Sequence, residues 1–87
     1  MPDSNQISNA QTLVIENENF AFETIEQANG LATVVRFQLN NNQVSAGDVL
    51  LVLSGSEIYF HGLIGKIEDG WATAIDRRGS LLPAVVQ

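Results

Sequence analysis

The sequence predicts an all-β protein: a small barrel-like fold or compact sandwich of about six or seven short antiparallel strands, ending in a C-terminal meander. Three observations carry this expectation. Apolar runs at 49–53, 58–67 and 71–75 are separated by Ser54-Gly55-Ser56 and by Asp69-Gly70, the residue types of tight hairpin turns. Residues 31–39 alternate in the period of a half-buried strand. Gly47 and Gly55 bracket the run at 49–53, too tightly for a buried helix.

Taken in order, residues 1–10 are polar and read as a flexible tail ahead of a single β domain at 11–87. Leu13, Val14 and Ile15 form a first strand, and residues 20–25 a second, paired with it as a hairpin. Asn17 and Asn19 oppose a helix through this region, because their side chains compete for local backbone hydrogen bonds. Residues 26–30 read as a turn or one loose helical turn closed by Asn29-Gly30. In the next strand Thr33, Val35, Phe37 and Leu39 share one face, and Val34, Arg36 and Gln38 the other. Asn40-Asn41-Asn42-Gln43 is a polar loop, and Gly47 takes positive φ in the turn before Asp48.

Residues 49–53 do not alternate, which predicts a strand buried on both faces. A two-residue type I′ turn at Asp69-Gly70 sets Glu68 opposite Trp71, Lys66 opposite Thr73 and Ile64 opposite Ile75. Leu63, Gly65, Ile67, Ala72 and Ala74 then line an inner wall, and Ile64, Lys66, Glu68, Trp71, Thr73 and Ile75 share the mixed face. Gly62 and Gly65 mark bends in the long strand rather than a ligand cradle. Pro83 makes residues 81–87 an edge strand or terminal segment, with Leu82 and Val85 available to pair with another copy. The Gly47-Asp48-Val49 turn feeding an apolar strand resembles small SH3-like barrels over a few residues, and nothing functional is carried over from it.

Composition narrows function. Hydrophobic residues make up 45% of the 87, against four bases and ten acids for a net charge of −6. Up to residue 35 there are acids and no Lys or Arg. A chain without a basic patch does not bind phosphate backbones directly, nor anionic membranes. With no cysteine there is no disulfide framework and no thiolate metal site. No leader-like segment and no long apolar run occur, which gives an expected cytoplasmic location. Gly-rich phosphate motifs and a nucleophile elbow are missing as well. The expected protein is therefore not an enzyme and takes no cofactor or metal.

The leading expectation is a protein-interaction or self-assembly module whose partner is itself or another protein. Tyr59, Trp71 and Ile75 are its expected surface, joined by Arg77 and Arg78 in a charged turn and by Leu82 and Val85 in the terminal segment. Two alternatives belong to other classes. Glu16, Glu18, Glu23 and Glu26 could make the chain an acidic inhibitor or nucleic-acid mimic docking on a basic groove. His61, the sole histidine, could centre a small ligand-binding or enzymatic site with Asp76, Asp48 or Glu57.

Overall fold

The computed structural model describes residues 10–39, 43–76 and 80–84. Among them lie the strands β1 (Thr12–Glu16), β2 (Glu23–Ala28), β3 (Leu31–Gln38), β4 (Val49–Ser54), β5 (Glu57–Glu68) and β6 (Trp71–Ile75), with a 3-10 turn at Asn17–Asn19. They form one six-stranded sheet in the order β1-β4-β5-β6-β3-β2. The fold is all-β as expected, but the sheet is not closed into a barrel: β1 and β2 are its two edges.

The expected hairpin between residues 11–16 and 20–25 does not form. β1 pairs with β4, and that pairing is parallel, so the sheet is mixed rather than wholly antiparallel. β2 instead turns back on β3 through Asn29-Gly30, with φ of 56° and 82°. Positive φ at both central residues is the type I′ pattern, which Asn-Gly favours and whose twist matches the flanking strands. Glu26 to Ala28 therefore belong to β2, not to a turn. Between β1 and β2 the Phe20 N–H bonds the Asn17 carbonyl, a local 3-10 bond in place of a hairpin ladder.

The meander follows expectation up to one residue. Asp69 and Gly70 have φ of 56° and 82°, and the pairs Glu68–Trp71, Ile67–Ala72 and Lys66–Thr73 are all formed. Beyond them the register shifts between Ile64 and Lys66, so that Ile64 opposes Ala74 and Leu63 opposes Ile75. Gly65 is the extra residue of a β-bulge, and a one-residue offset exchanges the faces. Ile64 thus points into the core and Leu63 points out, 56% exposed. Its expected place on the inner wall is corrected by the bulge.

The inner face carries Leu50 and Val52 of β4, Phe60 and Ile64 of β5, Ala72 and Ala74 of β6, and Val35 and Phe37 of β3. Phe20 packs onto this face, its ring centroid 5.3 Å from Phe37 and 5.1 Å from Phe22. Each large side chain so buried contributes about 1.5–3 kcal/mol.

Residues 80–84 complete the core. β6 stops at Ile75, where the Asp76 N–H bonds the Thr33 carbonyl of β3. Past that point no described strand lies between β3 and β5, and residues 80–84 take the place. Leu81 N–H donates to the Tyr59 carbonyl of β5 at 2.7 Å. On the other side Ala32 N–H donates to the Leu82 carbonyl at 2.8 Å, and Ala84 N–H to the Gly30 carbonyl at 2.9 Å. The Ser80 hydroxyl bonds the Ala32 carbonyl, and the Thr24 hydroxyl donates to the Ala84 carbonyl at 2.9 Å. Pro83 makes a single antiparallel bridge to Leu31. This segment is an internal strap bonded on both sides, not an edge strand. Leu82 is fully buried in the core, so the chain's own core, not a partner, surrounds it.

Candidate functional site

The side chains that alternate away from the core define the surface most open to function. β4 is the centre of it. Leu50 and Val52 are fully buried, while Val49, Leu51 and Leu53 on the opposite face are only half-buried. The run at 49–53 is apolar on both faces, yet one face alone is fully buried. That corrects the expectation of burial on both sides. A strand that lacks alternation reports apolar side chains, not what lies over them.

Register places those side chains in rows across the sheet. One row runs Val34, Ile75, Leu63 and Val49 from β3 to β4. The next joins Val14 of β1 to Leu51 and His61, and a third joins Leu53 to Ile58. Ile58 and Val14 are each 52% exposed. A cleft of about 450 Å³ opens in this face where β5 bends, lined by Val49, His61, Leu63, Gly65, Ile75 and Asp76 among others. Its walls are mostly apolar, with the polar groups of His61 and Asp76 at one side.

Asp76 is buried, and one of its carboxylate oxygens accepts the His61 backbone N–H at 3.1 Å. The pairing that the sequence allowed between His61 and Asp76 is therefore present as proximity, through the main chain. Among the described residues no group of three or more His, Cys, Asp or Glu is placed to hold a metal ion.

The expected trio of Tyr59, Trp71 and Ile75 is not brought together. Tyr59 is half-buried against the core, at the register shift in β5 where its strand passes from Phe60 to Ile58. Trp71 and Ile75 share the outer face but stand at opposite ends of β6. Trp71 lies at a polar end, beneath the Arg36 guanidinium, 4.1 Å from the ring centroid. Arg36 also bonds Glu23 at 3.0 Å, and Lys66 pairs with Glu68 at 3.2 Å. Ile75 belongs to the apolar row instead. Arg77, Arg78 and Val85 lie outside the described residues. Of the acids, Glu16 and Glu18 lie at or beside edge strand β1, while Glu23 and Glu26 lie on the opposite edge strand, β2.

Val14, Leu51, Leu53, Ile58 and Leu63 are surface residues that the sequence alone does not assign. Gly65 is the signal that would have found Leu63, since a glycine inside a strand marks a possible bulge and hence an exchange of faces.

Asp48 anchors this face beside the cleft. Its two carboxylate oxygens take the Ser45 N–H at 2.9 Å and the Gln11 N–H at 3.0 Å, tying the turn before β4 to the entry of β1. These bonds, that from Ser45 first, hold its carboxyl below the usual aspartate range. A depressed folded-state pKa stabilises the fold above the unfolded-state pKa, and that stability is lost as pH falls through the folded value. Asp48→Asn keeps one acceptor oxygen and presents an N–H₂ to the other donor. It is expected to lower the unfolding midpoint at neutral pH, with the gap to the native chain closing below the ordinary aspartate range. Melting curves from pH 7 to pH 2 check this; a gap constant across that range would show that the carboxylate charge contributes nothing.

Comparison with known proteins finds no matching family model, no matching curated protein and no matching solved structure. No described helix is long and apolar enough to cross a membrane.

Proposed function

We propose that the chain is a non-enzymatic protein-interaction or self-assembly module, and that it docks through the apolar outer face of the sheet. The observation that carries this reading is the exposure of Leu63 and Ile58 in rows of apolar side chains opposite the core. Contiguous exposed apolar surface of this kind marks interaction sites. The cleft beside Leu63 suits an anchoring side chain of a partner, since binding energy concentrates where one large group fills a pocket. A cytoplasmic setting belongs to the same proposal.

A photo-crosslinking side chain at Leu63, compared with the same group at Lys66 on the polar end, tests it. Protein adducts are expected from position 63 and not from 66. No adduct at 63, with the chain's own copies and with extract of its native cells, would sink the reading. The second reading is a small apolar ligand held in the cleft, favoured by His61 and Asp76 at its side. It predicts a low-mass adduct at position 63 instead. An acidic mimic has less support, because the four glutamates divide between opposite edges and Glu23 is already paired with Arg36.

A further inference from the structure

We infer that β1 is a seam at which two copies of this chain join, with Val14 on the two-fold axis. This deepens the reading above by naming the partner as a second copy, and it adds an edge to the face.

The two edges of the sheet are unlike. β2 carries Glu23 and Glu26 and is broken by register shifts around Ile25, devices that discourage pairing. β1 has neither. It pairs with β4 without a shift over its whole length, and its one charged residue, Glu16, is at its end. No described residue pairs with its other side.

The phase of its hydrogen bonds fixes which groups face outward. The Val49 N–H bonds the Gln11 carbonyl, and in a parallel ladder alternate residues bond to the partner strand. Leu13 and Ile15 therefore bond toward β4. Thr12, Val14 and Glu16 turn their N–H and C=O groups away from it, and all three are exposed.

A second copy fits this edge about a two-fold axis through Val14. Val14 then opposes its own counterpart, and Thr12 opposes Glu16 of the second copy. Each of these is a hydrogen-bonded antiparallel pair, exchanging both bonds. The only charge on the strand meets a threonine, so no like charges oppose, which would be destabilising. On the core side Leu13 meets Ile15 of the second copy, covering side chains that are only half-buried in one copy. On the outer side Val14 joins the row that runs into Leu51, so the apolar face continues across the seam. Centring on Glu16 instead would set two carboxylates together.

The chain contains no cysteine, so a single introduced thiol reports the seam cleanly. In Val14→Cys the two Cα atoms are about 5.5 Å apart, inside the disulfide range. In Thr12→Cys they are about 14 Å apart, four residues along the strand at about 3.4 Å each. Mild oxidation of the full chain is expected to give a disulfide dimer from Val14→Cys at least about tenfold faster than from Thr12→Cys, as only the former meets the geometry. Mixing Thr12→Cys with Glu16→Cys restores the cross-link. Light scattering up to near-millimolar protein is expected to show a dimer that Val14→Pro reduces to monomer, because that change removes an N–H facing away from β4. Val14→Lys, which sets two like charges on the axis, does the same if proline disturbs the fold. Equal cross-linking at positions 12 and 14, or a strict monomer with none, overturns the proposal. An extended peptide of another protein on β1 would appear as that second result. Adducts at Leu63 without a disulfide at position 14 leave the face and remove the seam, and the reverse leaves the seam alone.

Discussion

Leu82→Ala is expected to destabilise the chain by about 2–5 kcal/mol, the range for deleting a large buried aliphatic side chain. Leu82 has none of its surface exposed and packs in the core formed by the inner face of the sheet. A chain of this size is stable by roughly 4–13 kcal/mol, so the loss is a large share of the total. The unfolding midpoint should fall by roughly 10–30 °C. The neighbouring Leu81 is 49% exposed, and Leu81→Ala should stay within about 0.5 kcal/mol of the native chain. Denaturant unfolding of the two variants decides the matter. Equal effects would mean that residues 80–84 do not seat as an internal strap, and that Leu82 belongs on a surface after all. The strap matters beyond its own side chain, because its bonds to Tyr59 and Ala32 fill the gap left between β5 and β3 when β6 ends.

Local chemistry made much of this fold legible. Asp69-Gly70 specified a two-residue turn, and the turn specified the register of the strands beside it. Gly47, with φ of 97°, is in the turn where its lack of a side chain placed it. What could not be read is long-range. The parallel pairing of β1 with β4 joins residues nearly forty apart, and no turn chemistry announces it. Leu13, Val14 and Ile15 look the same beside either partner. The bulge at Gly65 is an intermediate case: the glycine was visible as a bend, but whether it adds a residue to the ladder depends on strands packed elsewhere. That one offset moved Leu63 from the core to the surface and so hid the candidate site. Trp71 stays partly exposed on the mixed face, and what the sequence does not announce is that Arg36, paired across the sheet with Thr73, lies over its ring.

Gly62→Ala is expected to cost about 2–3 kcal/mol, near the upper part of the usual range for overpacking, and to lower the midpoint by roughly 10–20 °C. A Cβ at Gly62 would stand 2.3 Å from the Ile75 carbonyl oxygen and 2.8 Å from the Phe60 ring. The oxygen is main chain at the end of β6, so relief requires β5 and β6 to move apart rather than a side chain to rotate. Gly65→Ala is the informative companion. A Cβ there meets nothing closer than the Thr73 carbonyl oxygen at 4.0 Å, and the change should be tolerated within about 0.5 kcal/mol. If both variants lose the same stability, the glycines serve the bend through backbone freedom alone. If only Gly62→Ala does, close crossing of β5 over the end of β6 is what the residue provides. The crossing bears on function because Gly62, Leu63 and Ile75 all line the cleft. Strands forced apart at Gly62 would reshape that wall. Gly62→Ala should therefore reduce adduct formation at Leu63 even at temperatures where the variant remains folded, whereas Leu82→Ala, acting from the core side, should reduce it only in step with unfolding.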